Sequence, residues 1–107
     1  MATFEPAKIF SMENSIEYSS GGVVSKQVIK KQSGNVTLFS FDKDQGLTEH
    51  TSPYDAMVYL LDGEAEIRID GNPHHLKKGE CIIMPAGFSH ALYAIEPFKM
   101  VLTMIKQ

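Results

Sequence analysis

Two histidines, His50 and His90, are the residues of this chain best suited to chemistry. A neutral imidazole accepts or donates a hydrogen bond, moves a proton near neutral pH and ligates transition metals. Ser52 and Asp55 follow His50 and could share such work, and Phe88, which precedes His90, could line an apolar pocket beside it. His90 also closes an informative run, Gly79 to His90, reading GECIIMPAGFSH. Gly79 permits the positive φ of a tight turn, and Cys81-Ile82-Ile83-Met84 has the length of an apolar strand. Pro85 cannot donate to a sheet ladder and ends that strand, while Gly87 lets the chain reverse. The spacing therefore puts His90 at the start of the next strand, Ala91 to Ile95, where alternation decides which face its ring takes.

The other reactive side chains read as structural. His74 and His75 follow the Asp70-Gly71 turn, and adjacent strand residues point to opposite faces, so the pair cannot readily chelate and belongs at the surface or a strand end. Glu49 should face away from His50. Cys81 is the only cysteine, which excludes an intrachain disulfide and a Cys-type zinc site. Its apolar strand predicts a buried, unreactive thiol. Met57, Met84, Met100 and Met104 fill core and interface gaps rather than bind copper. Ser52 and Ser89 lie near the histidines, but no oxyanion-hole motif or third orienting group completes a nucleophilic triad. Gly21-Gly22 lacks the strand–loop–helix setting of a phosphate loop.

The elements that must position the histidines are strands separated by turns. Val23 to Ile29 is rich in β-branched residues. Ser33-Gly34-Asn35 is a turn before a strand from Val36 to Phe41. Asp42 to Gly46 is a polar loop, and Ala56 to Leu61 is an apolar strand ending at Asp62-Gly63, a hairpin-type pair. Glu64 to Asp70 alternates, with Ala65, Ile67 and Ile69 on one face and charged residues on the other. Phe98 to Ile105 is the last strand. No stretch has sustained helical spacing, beyond room for a short turn near the N-terminus. An all-β sandwich or barrel follows, as one domain over residues 1–107 with an N-terminal segment (1–20) and a barrel over about 21–106.

Parity along the strands adds an expectation about assembly. If His50 points inward, so do Ser52, Ala56, Val58 and Leu60, provided Pro53 makes no bulge. The opposite set, Met57, Tyr59 and Leu61, is equally apolar. The last strand repeats this, with Phe98, Met100, Leu102 and Met104 against Val101 and Ile105. A strand apolar on both faces needs cover on both. A homodimer is the expected cover; the alternative is Phe4, Ile9 and Phe10 folding back over the surface.

The run from Gly79 resembles the second motif of the cupin superfamily, G-x5-P-x-G-x2-H-x3-N: Gly79, Pro85, Gly87 and His90 match, and Ala94 stands for the asparagine. Upstream, His50 to Gly63 resembles a degenerate first motif, G-x5-H-x-H-x3,4-E-x6-G. Aligned on Gly63, His50 takes the place of the first metal histidine, Ser52 that of the second, and Ala56 that of the glutamate. The resemblance covers His50 to Ala94 and implies a cupin-type double-stranded β-helix (jelly-roll) barrel, commonly dimeric. It also implies a site formed by His50 and His90 at the barrel mouth. Two functions follow as expectations. One is a small-molecule binding barrel anchored by His50, His90, Ser52 and Phe88. The other is a metal-dependent enzyme of dioxygenase or isomerase type, holding Fe, Mn, Ni or Zn through His50, His90 and a non-consensus third ligand such as Asp55.

Bulk properties are those of a globular domain of 107 residues with a formal charge of −3. An acidic pI near 5.7 and the absence of a basic stripe argue against nucleic acid and anionic lipid. No apolar run reaches the roughly 18 residues of a membrane helix, and the N-terminus has no signal-peptide pattern. The expected location is the cytoplasm.

Overall fold

The computed structural model describes residues 4–107; residues 1–3 of the N-terminal segment lie outside the described residues. After a 3-10 turn at Glu13–Ser15 come nine strands: β1 (Val23–Lys31), β2 (Gly34–Phe41), β3 (Gly46–Thr51), β4 (Asp55–Asp62), β5 (Glu64–Ile69), β6 (Asn72–Lys77), β7 (Cys81–Met84), β8 (Ser89–Ala94) and β9 (Phe98–Ile105). They form two antiparallel sheets, a five-stranded one in the order β1-β2-β9-β4-β7 and a four-stranded one in the order β3-β8-β5-β6. β3 and β6 go beyond the strands expected above. β3 is polar and β6 carries Pro73, His74 and His75, so neither shows an apolar alternation.

The expected inward residues make the core. Ala56, Val58, Leu60, Phe98 and Met100 from the larger sheet pack against Ala65, Ile67, Leu92 and Ala94 from the smaller. Phe41 and Phe98, opposite each other in the β2–β9 register, stack with ring centroids 4.6 Å apart. Both are fully buried, each stabilising the fold by about 1.5–3 kcal/mol relative to exposure.

Two turns show different uses of an Asp-Gly pair. Asp70 (φ 53°) and Gly71 (φ 80°) both take positive φ, as a two-residue hairpin requires, and join β5 to β6. Asp62-Gly63 is not a hairpin, because β4 and β5 lie in different sheets. Gly63 (φ 79°) is instead the corner at which the chain crosses between sheets. A Cβ there would collide with the Pro97 carbonyl oxygen, so glycine is needed for both conformation and space.

The outer face of the larger sheet is covered in two ways. Over β1, β2 and β9 lies the N-terminal segment, whose Ile16 is fully buried against Leu38 and Val101, with Phe4, Met12 and Leu61 around them. Lys26 Nζ donates to the Ser15 carbonyl (2.9 Å), Lys99 Nζ to that of Glu13 (2.8 Å) and Ser40 Oγ to that of Glu17 (2.8 Å). Phe4 and Phe10 touch, with centroids 4.8 Å apart, whereas Ile9 is fully exposed and covers nothing. At Met57, Tyr59, Cys81 and Ile83 of β4 and β7 none of the described residues covers the sheet, and these four are exposed. The expectation of a buried thiol was wrong. β7 is an edge strand, and Cys81, paired with Tyr59, shares its outward face.

Candidate functional site

His50 and His90 meet as cross-strand partners in the β3–β8 register, their ring centroids 4.3 Å apart and their planes at 72°. This meeting depends on a bulge. Leu47 pairs with Leu92 and His50 with His90, three residues on β3 against two on β8. In a regular strand Leu47 and His50 would face opposite ways; the extra residue turns both inward. The bulge also supplies a partner for His50, whose Nδ1 lies 2.8 Å from the Thr48 carbonyl oxygen. A carbonyl only accepts, so Nδ1 carries the proton, and in the neutral ring Nε2 is the acceptor.

His90 is 5% exposed, and its Nδ1 is buried with no hydrogen-bond partner. Burial, and then the nearby His50 imidazole, hold His90 below the ordinary histidine range, and a backbone contact with the Phe88 carbonyl acts the other way. The ring is therefore neutral at physiological pH.

The pair borders a cavity of about 280 Å³ between the two sheets. The smaller sheet contributes Leu47, His50, Thr51, His90 and Leu92, and the chain leaving β3 adds Ser52 and Pro53. The larger sheet contributes only apolar groups, Ala56, Met84, Met100, Leu102 and Met104. Met84 and Met104 flank Ala56 in adjacent register positions, one on each side of β4. All polar groups thus lie on one wall. A larger, shallower groove of about 470 Å³ runs outside the smaller sheet, where Glu66 and Arg68 pair with each other at 2.8 Å. It is the more open of the two and has no buried polar atom without a partner, so the barrel cavity is the candidate site.

Other expected site residues have different places. Ser52 lines the cavity, but its hydroxyl accepts from the Tyr54 amide (3.2 Å) and so also holds the turn around Pro53. Phe88 is not among the cavity-lining residues; it sits on the Pro85–Gly87 corner, 48% exposed. Asp55 is not a third ligand. It precedes the inward Ala56 and so takes the opposite face of β4, where its carboxylate accepts from the Ala86 amide at 2.8 Å. Together with the Ser52 carbonyl, which accepts from the Gly87 amide (2.8 Å), it latches the His50 segment to the corner preceding His90. His74 and His75 are exposed and distant in role: His75 pairs with Glu64 at 3.4 Å, and His74 Nδ1 approaches the Ile67 carbonyl. Glu49 faces outward, accepting from Ser89.

The metal that the cupin resemblance implies does not fit this donor set. Among the described residues no cluster of three or more His, Cys, Asp or Glu could hold an ion. Two imidazoles are short of the three protein ligands that catalytic sites use, and Ala56 and Ser52 stand where further ligands would be needed.

The comparisons agree with the fold and leave the activity open. A protein of unknown function from Streptococcus pyogenes superposes with a TM-score of 0.93 at 39% identity, over 98% of this chain and 92% of that one. A cupin 2 conserved barrel domain protein from Leptotrichia buccalis gives 0.88 at 40% identity, over 91% of this chain but 47% of its own length. An uncharacterised protein of Aquifex aeolicus is 27% identical over 92 residues, 84% of this chain and 76% of the relative. The family model for the cupin domain matches residues 37–106, from within β2 through β9, and with it the conclusion is plain: this chain belongs to the cupin domain family.

Proposed function

We propose that the protein binds a small molecule in the barrel cavity, with His50 and His90 as its polar anchors. One observation carries this reading. A buried imidazole with an unpartnered nitrogen is costly, by about 1–3 kcal/mol, unless something else repays it. Here that ring borders an otherwise apolar cavity beside a second imidazole, the composition expected of a binding pocket. Nothing else in the site asks for a metal, and the donor set gives the enzyme alternative no third ligand.

The test is a fragment screen read by methionine-methyl NMR. Met84, Met100 and Met104 line the cavity while Met57 faces outward and serves as an internal control. Binders should move the first three signals and leave Met57 still, and Ala56→Phe, which fills the cavity, should abolish the effect. A screen in which no fragment moves the cavity methyls, or in which Ala56→Phe binds as well, overturns the reading.

We further propose that the open face of Met57, Tyr59 and Ile83 on β4 and β7 is covered by a second copy of the chain. The apolar character of this face and the N-terminal cover stopping short of it support a homodimer. An exposed free thiol at Cys81 suits a reducing compartment, which supports a cytoplasmic location.

A further inference from the structure

We propose that the ligand is a compact, uncharged molecule of about one ring with a single hydroxyl that donates a hydrogen bond, of the phenol or enol class, rather than a sugar, a phosphate or a fixed carboxylate. This rests on the binding reading above and follows from the chemistry of the walls.

No lysine or arginine lines the cavity, so an anion carried into it would have no cation to replace its water. No aspartate or glutamate lines it either, which removes the partner of a cationic ligand. A sugar fails on distribution. Its hydroxyls point in all directions, whereas the wall opposite the histidines is Ala56, Met84, Met100 and Met104. Hydroxyls turned to that wall would be buried unpaired. The volume, about 280 Å³, lies at the lower end for ligand pockets and suits a single substituted ring.

What remains is the polarity of the one wet wall. The Thr48 carbonyl fixes the His50 proton on Nδ1, leaving Nε2 as a lone pair. His90, neutral in its buried setting, also has one nitrogen without a proton, and the backbone group beside its ring, the Phe88 carbonyl, is itself an acceptor. The Ser52 hydroxyl accepts from the Tyr54 amide and, like that of Thr51, keeps an O–H that can turn either way. A pair of imidazoles that offers lone pairs calls for a ligand that brings a donor, and a hydroxyl on an apolar ring brings one and little else. Thioethers on the far wall suit such a ring, since sulfur packs favourably against aromatic edges.

The test uses the isosteric pair p-cresol and p-xylene, with 4-methylbenzoate and glucuronate as anionic and polyhydroxylated controls. Affinities are read from the methyl signals of Met84, Met100 and Met104 at about pH 7.5, where a phenol keeps its proton. The native protein should prefer p-cresol to p-xylene by about tenfold, the effect of one net hydrogen bond. His90→Leu and, separately, His50→Leu should each erode that preference, and the double variant should reverse it, because the hydroxyl then enters without a partner. Thermal denaturation of each variant checks that it is folded, and His50, on the exposed side of the pair, supplies the safer one. Equal binding of p-cresol and p-xylene to the native protein overturns the inference while leaving the binding barrel intact. So does tighter binding of 4-methylbenzoate or glucuronate. If none of the four moves the cavity methyls, this inference and the binding reading fall together.

Discussion

Replacing His90 by leucine should stabilise the protein, and should do so more strongly in acid. The ring is 5% exposed and its Nδ1 has no partner, a situation costing about 1–3 kcal/mol. Leucine removes that cost and retains an apolar side chain among Leu92, Met84 and Ala56, at a shape penalty below about 1.5 kcal/mol. The net gain at about pH 7.5 is on the order of 1 kcal/mol, or about 4–8 °C in Tm for a domain of this size. The pH dependence has a definite sign. Burial and His50 depress the folded pKa of His90, so the unfolded chain binds the proton more readily than the native one. Stability held by the neutral ring is complete above the unfolded value of about 6.5 and is lost as pH falls towards the depressed one. One proton limits this loss to about 1.4 kcal/mol by pH 5.5. His90→Leu abolishes it, so the advantage of the variant should widen by up to that amount between pH 7.5 and 5.5. Urea denaturation at the two pH values measures both quantities, since every other titrating group is common to the two proteins. A variant destabilised by more than about 1 kcal/mol at pH 7.5, with a difference that does not change with pH, would show that His90 is a satisfied core residue. The reasoning about the site would then be wrong.

Three further outcomes are expected. Asp55→Ala breaks the latch to the Ala86 amide and, at an exposed position, should cost about 1 kcal/mol, read by denaturation; Asp55→Asn should recover part of it, and no loss in either would deny the latch a role. Saturating Ni(II) or Zn(II) should raise Tm no more in the native protein than in His90→Ala; a His90-dependent gain near 2.7 kcal/mol, the value for a metal at a hundredfold its Kd, would reveal a third ligand and undo the fit argument. Tyr59→Lys should convert the proposed dimer to a folded monomer by light scattering, and a native protein that is already monomeric at micromolar concentration would remove the interface.

Much of this was legible in the residues, for reasons that also mark where legibility stops. Strict alternation in Glu64–Ile69 announces which side chains face inward, and in Phe98–Ile105, apolar on both faces, strand parity alone sorts them; those faces form the core. The Gly79–His90 run placed β7, the corner and β8 because each turn residue there has one conformational job. β3 carried no such signal. It is a polar strand held by its pairing to β8, and the bulge that brings Leu47 and His50 to one face is set by tertiary register rather than by local pattern. Cys81 was misjudged because apolar neighbours imply burial only where something covers them, and β7 is an edge. The methionines of the cavity were on the inward face by parity. Their meeting with the histidines depended on which strands pair with β4, which alternation does not encode.

The geometry of the site follows from a division of labour between the sheets. The larger sheet supplies a wall without polar atoms, and the substitution-like presence of Ala56 at its centre keeps space open opposite the imidazoles. The smaller sheet supplies the imidazoles, but their relative position rests on groups outside the cavity. The Thr48 carbonyl orients His50 from the bulge, and the Asp55 carboxylate and Ser52 carbonyl hold the corner from which His90 starts. Asp55 is thus more useful facing away from the cavity than into it. Turned inward it would lose the Ala86 amide and place a carboxylate on an apolar wall, a burial costing several kcal/mol without a compensating cation. The same choice that leaves the pair without a third ligand keeps the cavity uncharged. A ligand of the proposed kind would meet the two imidazoles and the Ser52 and Thr51 positions on one wall and thioethers and aliphatic carbon on the other, so its selection would rest on few hydrogen bonds and on shape.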